Sequence, residues 1–187
     1  QSSANLRFLQ CDVENYDFEP HLFDVVISRF GVMFFENPLK AFTNINRSMK
    51  NGGRLNLLVW KTFDENLWMK IPASAAFKIL ERPEPPKEGE PGPFSLCDSD
   101  AFGEMLSAAG FDDITFVSNK LNLNLGSLNE AVQLMTQLGP AAKPYGEAPS
   151  DLQKQARESM KAVLSQHESA SGVLLPSAFW LVRATAL

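Results

Sequence analysis

Blocks of positive charge, long apolar runs, paired cysteines and histidine clusters are all absent from this sequence. Seventeen lysines and arginines stand against 22 acids, for a net charge of −5. No basic run offsets that balance, which excludes a nucleic-acid or anionic-membrane surface, since both need clustered positive charge. No apolar run approaches the ~20 residues that a bilayer span requires, and no charged-then-apolar leader opens the chain. The two cysteines, Cys11 and Cys97, lie far apart and outside any C-x-x-C pair. A disulfide framework is therefore not expected, and a reduced, soluble, cytoplasmic protein is. Two histidines and two cysteines without ligand spacing exclude a metal cluster. The chain also lacks an initiating methionine and opens as QSSANLRFLQCD, straight into what looks like a strand, so it reads as the continuation of something longer.

What is present is organised around Leu22 to Lys61, LFDVVISRFGVMFFENPLKAFTNINRSMKNGGRLNLLVWK. Val25, Val26 and Ile27 form the apolar run of a parallel strand covered on both faces, and Leu55 to Trp60 is a second run of that kind. Between them Asn37 and Pro38 suit a helix cap and first helical position. Leu39, Phe42, Ile45 and Met49 trace one helical face, with Asn46 the single polar intruder, and Gly52 marks the stop. This is a βαβ unit, and in such sheets ligands bind beyond the carboxyl ends of the strands. Those ends are Ser28-Arg29-Phe30 and Trp60-Lys61.

Around this unit, Leu6, Phe8 and Leu9 suit a short strand ending at Cys11-Asp12. Lys61 to Leu80 suggests a helix broken or started near Pro72. The five prolines and two glycines between Glu81 and Pro93 forbid regular structure and predict a surface loop or lid. Asp98 caps a helix ending near Ala109, and Ile114 to Leu125 alternates as a strand. Ser127-x-x-Glu130 and Ser150-x-x-Gln153 have capping-box spacing, each before an amphipathic helix, and Ala178 to Ala186 reads as the final strand. The expected division is a sheet domain over residues 1–125 and 170–187, with 126–169 a helical insertion capping the binding edge.

FLQCDVENYDF, LFDVVISRFGVMFF and NPLKAFTNINRSMKNGGRLNLLVW together resemble the later motifs of class I S-adenosylmethionine-dependent methyltransferases. PGPFSLCDSDAFGEMLSAAGFDDITF and GVLLPSAFWLVRA extend the resemblance to the end of the chain, in a ubiquinone-biosynthesis-like small-molecule subgroup. The resemblance implies an α/β, Rossmann-like class I methyltransferase sheet of order 3-2-1-4-5-7-6. It also implies N-terminal truncation, with the first two strands missing. The family's glycine-rich loop has no counterpart either, because the eleven glycines include no G-x-G. The implied activity is methyl transfer from S-adenosylmethionine to a small-molecule acceptor, incomplete in this chain. The alternative is a catalytically inactive, dimeric scaffold module. A short-chain reductase is a poor third, since neither Tyr16 nor Tyr145 has a lysine four residues on.

Carried onto this chain, the resemblance assigns cofactor binding to Asp12, Val13, Ser28 and Arg29. Asp12 would accept from the adenine amino group, and Ser28-Arg29 would face the reactive end. Phe30, Phe34 and Trp60 would wall the substrate pocket. Each residue also has a plainer reading. Asp12 suits a turn that ends a strand, Arg29 an ion pair, His167 a helix end, and Trp60, Trp68 and Phe94 a core. No catalytic base is identified. With two strands missing, the Val25–Phe30 edge is expected to pair either with the chain's own first strand or with a second copy, as a homodimer.

Overall fold

A computed structural model describes residues 5–87 and 89–187. Strand β1 (Phe23–Arg29) leads through a 3-10 turn at Val32–Phe34 into α1 (Pro38–Ser48), then β2 (Met49–Trp60) and α2 (Leu67–Ala76). Helix α3 (Ser99–Ala108) and β3 (Phe111–Asn124) follow. The chain closes with α4 (Leu128–Met135), α5 (Ala142–Glu147), α6 (Ser150–Leu164), β4 (Glu168–Ser169) and β5 (Gly172–Ala186). The sheet order is β1-β2-β5-β3. β1 runs parallel to β2, whereas β5 is antiparallel to both β2 and β3. This order and these directions match the 4-5-7-6 half of the implied sheet.

Local chemistry explains α1. The Asn37 side chain accepts from the Lys40 N–H and Pro38 occupies the first turn, so an orphan donor is satisfied where proline needs none. Ala41, Phe42 and Ile45 bury its inner face. Asn46 is polar on that face because its amide donates to the Gly110 carbonyl at 2.8 Å, tying α1 to the turn after α3. The helix ends earlier than Gly52 suggests. Met49 is already extended and begins β2, and Gly52 (φ +78°) lies within that strand. Against β1 the register jumps there, from Phe23↔Met49 to Val25↔Arg54, so residues 50–53 bulge outward. At Gly53 a Cβ would meet the Lys50 carbonyl oxygen at 2.8 Å.

Two cores form. Leu55, Leu57, Val59, Val182 and Ala184 face α1 and α3. A second core joins α2, α4 and α6 to Val173 and Leu175 of β5. The capping box at Ser127 and Glu130 forms. The one expected at Ser150 does not, because Pro149 takes the cap position and Gln153 donates its amide to the Ala148 carbonyl instead. β5 is longer than its alternation suggests, since it pairs with β3 well beyond the end of β2, and β3 starts earlier, with Phe111 and Asp112 opposite Ala186 and Thr185.

Three expectations at the N-terminal side are overturned. Residues 6–12 form no strand, and Phe8 is 88% exposed; an extended segment without a neighbouring strand has no ladder to join. β1 is covered on one face only: Val26 packs into the core, while Val25 and Ile27 are 41% and 77% exposed. Among the described residues, pairing of the β1 edge with the chain's own first strand does not occur. β1 has β2 as its sole ladder partner there.

Candidate functional site at the carboxyl ends of the parallel strands

The parallel pair delivers two aromatic side chains to one place. Phe30 follows β1 with φ +58°, a left-handed conformation that bulky residues rarely adopt and that tends to persist where function requires it. Its N–H donates to the Leu58 carbonyl at 2.9 Å. With the backbone so turned, its ring lies flat on Trp60, centroids 3.8 Å apart and planes 6° from parallel. Phe179 meets both rings edge-on, at 6.0 and 6.3 Å, and Trp68 lies 5.4 Å from Trp60. Met33 closes the underside. Its sulfur accepts the Trp60 N–H at 3.3 Å, and its carbonyl accepts from Gly92 N and Ser95 Oγ. The return of the proline-rich loop is thus pinned beside the aromatic cluster, with Phe94 edge-on to Phe63.

Of the predicted pocket residues, the structure brings Phe30 and Trp60 together and leaves Phe34 apart. Phe34 is 55% exposed and makes no ring contact among the described residues. Phe179 was not anticipated. Its signal is the alternation in AFWLVRATA, which puts Phe179 and Trp180 on opposite faces, but only the β2–β5 register (Trp60↔Phe179) shows which one reaches the cluster.

Ser28 and Arg29 end β1 as expected. Ser28 is half-buried, and Gly31 leaves room beside it, since a Cβ there would lie 3.4 Å from the hydroxyl. Arg29 is exposed and makes no ion pair among the described residues, so its guanidinium is not neutralised by an acidic neighbour. Asp12 is exposed and organises a turn: its carboxylate accepts from Glu14 N at 3.0 Å and from the Asn15 amide. Those hydrogen bonds, Asn15 first, hold its pKa below the usual carboxylate range. The Val13 carbonyl accepts the Asn44 amide at 2.8 Å, and the Glu14 carboxylate accepts from Glu36 and Asn37 N–H at the start of α1. The turn is therefore fastened to α1. Among the described residues no hydrogen bond joins Asp12 or Val13 to Ser28 or Arg29.

On the opposite sheet face at the end of β2, Lys61 is held by Glu65 at 2.7 Å and by Ser118 Oγ at 3.3 Å, and it stands 4.5 Å over the Trp180 ring. The Lys61 bond, followed by that from Thr62, depresses the Glu65 pKa. A depressed carboxylate contributes stability that is present above its unfolded-state value and is lost as pH falls through the folded one. The pair is partly solvated, so Glu65→Gln should cost about 0.5 kcal/mol at neutral pH. Denaturant titrations should show that difference closing as acid protonates the wild-type carboxylate. His167 sits half-buried in the 3-10 turn after α6, and His21 Nδ1 lies 3.2 Å from the Met49 carbonyl. Among the described residues no group of three His, Cys, Asp or Glu side chains could hold a metal, and no helix is long and apolar enough to cross a membrane. Two surface grooves, between α2 and α6 and between α3 and β3, contain none of the predicted site residues.

Residues 1–57 match a family model described as a methyltransferase domain. The chain is 30% identical over 117 residues to a malonyl-[acyl-carrier protein] O-methyltransferase of Paenibacillus sp., an overlap of 61% of this chain and 40% of that protein. It is 27% identical over 124 residues to the ubiquinone/menaquinone biosynthesis C-methyltransferase UbiE of Rhizobium etli, covering 62% and 48%. The chain thus spans less than half the length of these relatives. Two solved structures share its fold, each with TM-score 0.52 over 97% of this chain. One is a candidate methyltransferase of Bacillus halodurans, at 14% identity and 78% of that chain. The other is YcgJ of Bacillus subtilis, at 17% and 71%. The motifs of the parallel unit, the strand order and these relatives agree: over residues 1–57 the chain is similar to S-adenosylmethionine-dependent methyltransferase domains, and as a whole it shares the Rossmann-like class I fold of the two solved structures.

Proposed function

We propose that this chain carries the acceptor-facing part of a methyltransferase that transfers a methyl group from S-adenosylmethionine to a small molecule. The observation that carries this reading is the Phe30–Trp60 stack, built on a left-handed Phe30 at the ligand edge of two parallel strands. In a complete site the cofactor, when bound, supplies an electrophilic methyl for direct displacement. The residues present fit it in part. Asp12 has lone pairs left after its two hydrogen bonds and stays ionised, so it can accept from an adenine amino group beside Val13. Ser28 and the unpaired Arg29 face the reactive end. For the ribose and methionine portions the family uses a glycine-rich loop, and the sequence contains no G-x-G. Cofactor grip by this chain alone is therefore incomplete.

Phe30 and Trp60 would exclude water from the acceptor and align it, and alignment alone can supply ~7–11 kcal/mol. Lys61 is engaged by Glu65 and Ser118 on the sheet face opposite the stack. An acceptor whose nucleophile ionises readily, and which is neutral or cationic overall, suits such a site. The two relatives are named for different acceptors, one oxygen and one carbon, so the class is left at small molecule. Residues 126–169 would act as the cap over this edge, since α4 and α6 share a core with α2 and Trp60. The free thiols of Cys11 and Cys97 suit a reducing cytoplasm. A second copy pairing along the Val25–Phe30 edge would complete the sheet as a homodimer.

Calorimetric titration of this chain with S-adenosylmethionine is the test. No micromolar binding is expected. Stoichiometric micromolar binding would show that the cofactor grip is complete without a glycine-rich loop.

A further inference from the structure

Asn66 is a polar side chain with 0% exposure, set in the turn between β2 and α2. Its amide nitrogen donates to the carbonyls of Lys61 (3.2 Å), Thr62 (3.0 Å) and Ala178 (3.0 Å). Its amide oxygen accepts the Ala178 N–H at 3.1 Å and the Trp68 indole N–H at 3.1 Å. Toward Ala178 the side chain therefore behaves as a strand would, giving one hydrogen bond and taking one. It continues the β2–β5 ladder past Trp60↔Phe179, where β2 itself has ended. A side-chain amide satisfies this set, and asparagine offers it at the reach this turn has. Aspartate lacks the donors, and an alkyl residue would leave the Ala178 N–H and the Trp68 indole without Asn66 as acceptor, while the Ala178 and Thr62 carbonyls keep the Lys61 and Glu65 N–H groups.

The indole that Asn66 holds is the one against Trp60, and Trp60 carries the Phe30 stack. A chain of contacts thus runs from a buried amide, through one hydrogen-bonded indole, to the aromatic wall. We propose that Asn66 is a positioning residue for the acceptor site, fixing the orientation of Trp68 and through it that of Trp60 and Phe30. The proposal rests on the reading of that wall as acceptor-facing, but its structural content does not.

The test is the indole N–H spectrum of the 15N-labelled chain, which holds three tryptophans. Trp180 is the internal control, because its indole donates to the Cys97 carbonyl at 2.9 Å on the opposite face of the sheet. In Asn66→Ala the Trp68 resonance should shift and lose its protection from hydrogen exchange. The Trp60 resonance should move with it, and Trp180 should stay in place. Trp68→Phe leaves every Asn66 bond to backbone available and removes the indole N–H together with the pyrrole half of the ring. It should displace the Trp60 resonance in the same direction, and it decides the matter where Asn66→Ala does not fold. An unmoved Trp60 resonance in Trp68→Phe overturns the proposal, as does an Asn66→Ala spectrum in which Trp180 moves as far as Trp60. Neither readout involves methyl transfer, so lack of activity would count against the functional reading while leaving this one standing.

Discussion

Trp60→Ala is expected to destabilise the chain by about 3 kcal/mol, and Trp60→Phe by about 1 kcal/mol. Trp60 is unusual in touching both cores, the one under α1 and α3 and the one shared by α2, α4 and α6. Its ring is flat against Phe30, tilted against Trp68 and edge-on to Phe179. Truncation therefore removes the wall between the cores and three aromatic partnerships together. A close aromatic pair contributes about 0.5–1.5 kcal/mol beyond its buried area. Phenylalanine restores most of the volume and the stacking face, which is why the smaller cost is expected. Urea titrations of the two variants measure the contrast. Equal, small losses would show that Trp60 does not join the cores.

Self-association of the isolated chain is the second large effect. Among the described residues β1 has an unpaired edge and an uncovered face in which Val25 and Ile27 are exposed, and such edges recruit strands. Sedimentation at tens of micromolar is expected to show a dimer. Val25→Lys with Ile27→Lys should return it to a monomer, since lysine is a common means of blunting an edge. Because both side chains already lie at the surface, the unfolding free energy should change by no more than ~0.5 kcal/mol each. A wild-type chain that stays monomeric over that range would remove the homodimer from the proposal.

The legible parts of this fold are those in which local chemistry and tertiary structure agree. Asn37-Pro38 and the apolar periodicity announce α1, Asp98 announces α3, and the Ser127–Glu130 box announces α4, each because a cap satisfies a donor within its own turn. The illegible parts depend on neighbours. An apolar run such as Val25-Val26-Ile27 cannot reveal whether its second face has a cover. Leu6 to Leu9 cannot become a strand without a ladder to join. Ser150 has capping-box spacing, yet Pro149 displaces it by one position. At the site, strand order and family motif brought out Phe30 and Trp60, and Phe34 only by its proximity in sequence. Phe179 and Asn66 were hidden because their roles arise from the β2–β5 register, between residues more than a hundred positions apart.

The central claim, that the carboxyl ends of β1 and β2 form the acceptor-facing site, is most directly tested by mapping amide and indole resonances during titration with S-adenosylhomocysteine at millimolar concentration. Shifts are predicted at Ser28, Arg29, Phe30 and the Trp60 indole, with the Trp180 indole and the groove between α2 and α6 unchanged. Shifts confined to that groove, or none at any of the four predicted positions, would contradict it.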